Sequence, residues 1–153
     1  MNFKRLTDNA KLPSIHNDYS PALALYTQDA FTLPIGITTV VPIGVSLKLS
    51  LEDTDRLGKL GAFMVDLPFW LRQYGLTSFG MTIFSLDYDG EWNIVLSNQG
   101  KQNVTFKKHD IIGMAIWFEH GLSDPMFDHL RQQEIPAEEN GTRNDIRNES
   151  HAQ

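Results

Sequence analysis

The sequence predicts an all-β fold, and three observations point to it. Apolar residues gather in short runs rich in β-branched and aromatic side chains. Where those runs alternate, they do so with period two. Gly, Pro and turn-forming dipeptides punctuate the chain at the intervals usual for such folds.

The elements follow in order. Tyr26 is followed by a turn at Gln28-Asp29, then by Phe31 and Leu33, and Pro34-Ile35-Gly36 breaks the run. Ile37 to Val41 is β-branched and reads as a strand, and Val45 to Leu49 alternates as one. Ser50 to Gly58 is acidic and reads as a short capped helix or an exposed loop. Pro68 to Tyr74 fits a short helix with Pro in its first turn. Gly80–Phe84, Trp92–Leu96 and Ile111–Phe118 are further strands, with hairpin signals at Asp89-Gly90 and Gln99-Gly100. The apolar strand Trp92–Leu96 fits a packed interface between subunits. The expected organisation is a β domain over residues 1–130 and a polar, mobile arm over 131–153. No internal repeat is visible.

Composition narrows the class. The 153 residues suffice for one sizeable core, and the net charge is −6 without a Lys/Arg run, so nucleic acid is not an expected partner. Cysteine is absent, which removes disulfides and Cys-ligated metals. The opening MNFKRLTDNA has no apolar run behind its basic residues, and no stretch approaches membrane-spanning length. The expectation is a soluble intracellular protein, cytoplasmic or nuclear, with no membrane partner.

Several segments resemble the dUTP pyrophosphatase (dUTPase) family. They are FKRLTDNAKLPSIHNDYSPALALYTQDAFTLPIGITTVVPIGVSLKLS, SLDYDGEWNIVLSN and KKHDIIGMAIWFEH, within roughly residues 3–130. The last is also similar to dCTP deaminases, which share the fold. The resemblance implies a β-barrel-like jelly roll that assembles as a homotrimer, with active sites between subunits. It also makes a viral or phage origin and a link to nucleotide metabolism natural expectations. Framework residues Pro13, Phe31, Pro42, Gly44, Asp87, Tyr88, Gly90, Asn98 and Asp110 persist.

The residues that this resemblance would assign to chemistry do not. Ala24 stands where the family has the aspartate that organises magnesium. Asp66-Leu67-Pro68-Phe69 replaces a phosphate-binding Pro-Arg-Ser-Gly. Ser85 falls where the family has its water-activating aspartate, and a serine hydroxyl is no general base near neutral pH. In the fourth motif Ile111 replaces arginine and Met114 the phosphate-contacting glutamine. The glycine-rich fifth motif is absent, with Gly141 the only glycine of the tail. No catalytic residue and no magnesium cofactor are therefore expected.

Three readings of function remain open. In the first, the chain is a pseudoenzyme that binds a protein or serves an assembly, with Asp66, Phe69, Trp70, Arg72 and Tyr74 as contact candidates and Phe79 in the same aromatic cluster. The competing reading of those aromatics is plain filling of the vacated cleft or of the subunit interface. In the second, it binds a nucleotide without hydrolysing it, through Ile83, Phe84, Tyr88 and Gly90, with Arg72, Arg143 and Arg147 as phosphate candidates. In the third, it is a divergent dUTPase with Asp87 or Asp89 as relocated base. No metal site is expected. A site from His120, Asp124 and His129 lacks tight ligand spacing, and these histidines, with His16, His109 and His151, read as solvated. The acidic run Asp87, Asp89 and Glu91 reads as a solvated turn.

Overall fold

Twelve strands and one short helix make up the described part of the chain, a computed structural model that describes residues 2–18, 20–50, 61–78, 80, 82–86 and 88–119. The strands are β1 (Asn2–Arg5), β2 (Ser14–Ile15), β3 (Leu23–Tyr26), β4 (Phe31–Leu33), β5 (Thr38–Pro42), β6 (Val45–Lys48) and β7 (Gly61–Asp66). After helix α1 (Phe69–Arg72) come β8 (Leu76–Thr77), β9 (Thr82–Ser85), β10 (Asn93–Asn98), β11 (Val104–Phe106) and β12 (Ile111–Glu119). The all-β expectation holds. The segment 51–60, Phe79, Asp87, His120, Asp124, His129 and everything expected of the arm 131–153 lie outside the described residues.

A five-stranded sheet runs β2-β3-β12-β7-β9 and a three-stranded sheet β5-β10-β8, with ribbons β1-β6 and β4-β11 beside them. All pairs are antiparallel. Alternation puts Leu25, Phe63, Val65, Phe84 and Ala115 of the larger sheet into one core with Ile94 and Leu96 of the smaller one. Trp92 sits among them, stacked on Phe84 at 4.4 Å and edge-on to Phe3 and Phe63. Burying such rings is the main source of stability here.

Trp92, Ile94 and Leu96 are thus buried in their own subunit, which corrects the expectation that they form an interface. The other face of β10 offers only half-buried Asn93 and Val95 before Ser97. The two hairpin signals are also corrected. Both segments turn, but Asp89-Gly90 leads from β9, paired with β7, to β10, paired with β5 and β8. Gln99-Gly100 leads from β10 to β11, which pairs with β4. Gly100 is needed for a different reason: a side chain there would strike the Tyr74 carbonyl, and one at Gly75 would strike Gly100 itself.

Asn98 explains its own place in the frame. It is fully buried. Its side-chain amide donates to Leu33 O at 3.0 Å and Gln102 O at 2.9 Å, and its Oδ1 accepts from Gly100 N at 3.0 Å. Its backbone bonds Ile37 and Gly36. No polar atom is wasted, as burial demands.

Candidate functional site

On the larger sheet, the face turned away from the core carries cross-strand rows. Ser14, Ala24, Met114 and Asp66 are successive neighbours on β2, β3, β12 and β7. The positions that the resemblance assigns to magnesium organisation and phosphate contact, Ala24 and Met114, therefore face one another directly. Neither carries an oxygen ligand, and Ala24 is 0% exposed. A second row joins Phe118, Ala62 and Ser85. Four residues along β12 separate the rows, about 13 Å at ~3.3 Å per residue. Within one subunit, Ser85 and Ala24 are not brought together.

Asp66 ends β7, and its carboxylate is fully engaged. Arg72 Nη2 donates to both oxygens at 2.7 Å, and Leu67 N and Ser78 Oγ donate to Oδ1 at 2.7 and 3.1 Å. The partner-binding candidates Asp66 and Arg72 thus pair with each other, which offsets the acidic character read into this segment while leaving both side chains partly exposed. Pro68 stands at the N-cap, one position before the first helical residue, rather than inside the first turn. The aromatic candidates keep their surface. Phe69 is 70% and Tyr74 57% exposed. Trp70 is half-buried, packed between the core, Phe69 and the His16 ring at 5.4 Å.

Beside α1 opens a cleft of about 810 Å³. Trp70, Leu71 and Tyr74 form one part of its wall, and Lys11, His16 and Tyr26 another. The rest comes from residues 102–106 and 109–111. The Lys11 ammonium lies 3.9 Å from the centre of the Tyr26 ring, a cation–π contact. The Tyr26 hydroxyl shares a 2.6 Å hydrogen bond with Ser14. His109 holds φ at 65° and meets Asn9 O through Nε2 at 2.9 Å, so it pins one loop to another. This corrects the reading of His109 as merely solvated, whereas His16 is exposed as expected, with its ring against Trp70. The role of residues 102–106 and 109–111 as a wall was not read from the sequence. Its signal was the lysines that flank it, Lys101, Lys107 and Lys108.

The nucleotide candidates separate. Phe84 is core, only 8% exposed beneath Trp92, so its side chain is unavailable as a contact. Ile83 and Tyr88 are exposed. The Tyr88 hydroxyl donates to Glu91 O at 3.0 Å, and its ring lies so near Gly90 that a side chain there would collide with it. Asp89 faces solvent and pairs with Lys48 at 3.6 Å. Among the described residues no three His, Asp or Glu side chains are placed to hold a metal, and no helix is long and apolar enough to cross a membrane.

No family model matches the chain, and no curated protein matches it. Solved structures do. The dUTPase of Staphylococcus bacteriophage 80alpha superposes with a TM-score of 0.67 at 10% identity, over 80% of this chain and 92% of that one. The dUTPase of phage phi11 of S. aureus gives 0.66 at 9%, over 80% and 92%. EIAV dUTPase gives 0.61 at 16%, over 80% and 90%. With strands, framework turns and superposition in agreement, the chain has the dUTPase-like β fold.

Proposed function

We propose that this chain is a pseudoenzyme of the dUTPase-like fold, a homotrimer that acts by binding a protein partner rather than by hydrolysing dUTP. The observation that carries the reading is the Ala24–Met114 pair: two adjoining positions, both stripped of oxygen ligands, with the next carboxylate, Asp66, tied up by Arg72. A catalyst without a positioned base loses on the order of a hundredfold to ten-thousandfold, and loss of electrostatic clamping on phosphate adds to that. The exposed aromatics Phe69 and Tyr74 beside half-buried Trp70 supply the surface that protein contacts favour. Phage dUTPases, that of 80alpha among them, are described as controlling transfer of virulence genes by a proto-oncogenic G protein-like mechanism, and a point variant of the 80alpha enzyme belongs to work on the link between enzymatic activity and SaPI-inducing capacity. A regulatory role on this fold therefore has a parallel.

A second reading, nucleotide binding without hydrolysis, draws on the exposed Tyr88 over Gly90. Pyrophosphate release from dUTP, and calorimetric titration with dUTP, dUMP and cyclic nucleotides with and without magnesium, separate the readings. The expected result is neither turnover nor binding. Binding without turnover selects the second reading. Enzyme-like turnover abolished by Asp87→Asn or Asp89→Asn overturns both and points to a relocated site. Light scattering is expected to give about three times 17.4 kDa, and a monomer removes the trimer.

A further inference from the structure

We infer that the cleft beside α1 is the partner site, and that the partner presents an acidic peptide segment with an aromatic anchor. This rests on the protein-binding reading above and names the chemistry of the partner. At about 810 Å³ the cleft lies in the range of specific binding pockets, and its wall combines aromatic rings with a few polar groups. Tyr74, more than half exposed, offers its ring to an aromatic side chain, and half-buried Trp70 adds apolar wall beside it. The apolar surface does not stop at the cleft, because Phe69, the most exposed aromatic of the helix, extends it outside. That extent suits a chain running out of the cleft better than an isolated small molecule.

Charge decides the rest of the partner's chemistry. Lys11 is in the cleft wall, and Lys101, Lys107 and Lys108 are exposed on the segment that forms another part of it. Among the described residues none of the four has a carboxylate within ion-pair reach, whereas Lys48 and Arg72 do. The one acid in the wall, Asp110, accepts Lys107 N at 2.7 Å through Oδ2 but keeps its negative charge and offsets Lys11, so the positive excess comes from Lys101, Lys107 and Lys108 beside the wall. On a chain of net charge −6 this is a local basic rim, and complementary acids would speed encounter and fix register. Asp66 does not oppose them, since Arg72 neutralises it.

The test is fluorescence anisotropy with a short dye-labelled peptide of aspartates and glutamates around one phenylalanine. Lys11→Glu, the double change Lys107→Glu with Lys108→Glu, and Tyr74→Ser all alter exposed side chains, and melting curves check that each variant is folded. Saturable binding is expected, weakened about tenfold or more by each variant, by serine in place of the phenylalanine, and by raising salt. Equal binding by the Lys11→Glu protein, or of a lysine-and-arginine peptide, overturns the charge assignment. Equally tight binding of free N-acetylphenylalanine makes the site a small-molecule pocket and overturns the peptide. Absence of peptide binding in a protein that also lacks dUTP turnover removes this partner and leaves the pseudoenzyme reading standing. Turnover of dUTP removes that reading whatever the peptide does.

Discussion

The Asn98 turn and the Ala24–Met114 row use polar atoms in opposite ways. At the turn every polar atom of a buried residue is spent on the chain itself, bonding Leu33, Gln102, Gly100, Gly36 and Ile37. In the row, Ala24 and Met114 have no side-chain oxygen or nitrogen at all, and Asp66 beside them spends its carboxylate on Arg72. The lesson is that frame and chemistry are separable on this fold. A residue that holds a turn cannot be lost without leaving buried groups unpaired. One that faces substrate can, because only substrate misses it.

Four substitutions break or sharpen that contrast. The deepest part of the frame should respond most: Trp92→Ala is expected to cost about 3–5 kcal/mol, and a chemical denaturation midpoint that barely moves would mean the aromatic core is not closed around it. Asn98→Ala comes next. It leaves two carbonyls and one amide without their partner, with an expected loss of about 2–3 kcal/mol. A loss under a few tenths would show that water replaces all three bonds. In the row, Met114→Leu keeps volume and apolarity, so thermal melting should reveal less than about 1.5 kcal/mol. A larger loss would give Met114 a role in packing that its half-exposure does not suggest. Smallest of all, Arg72→Ala breaks a bridge whose two side chains are 46% and 42% exposed, worth about 0.2–1 kcal/mol. High salt should erase the difference between the variant and the parent, and a salt-independent effect would argue for packing by the arginine stem instead.

The strands most legible in the sequence were those whose side chains declare their state locally. Val45–Lys48 alternates, and Ile111 onward is β-branched and aromatic. Strand β7, GAFMVD, went unread because Gly, Ala and Met carry little β preference, although Gly61 is required there by the Trp117 ring that lies against it. The turns at Asp89-Gly90 and Gln99-Gly100 were located, but their local chemistry cannot say which distant strand the chain joins next. The Asp66–Arg72 pair spans six positions through a strand end and a helix, a spacing with no period to reveal it. The cleft was half legible. Trp70 and Tyr74 were singled out as aromatics, but Lys11 and the wall of residues 102–106 and 109–111 reach them only through pairings across the fold.

Strand order also sets a timetable for synthesis. Strand β12, the last strand described, lies between β3 and β7, which do not pair with each other and are joined only through it. As the chain leaves the ribosome at roughly 5–20 residues per second, β3 waits on the order of ten seconds for its central partner. During that interval its open hydrogen-bonding edge is available to any other nascent strand. A premature stop anywhere before Ile111 would remove the staple between the two halves of the sheet rather than trim its end.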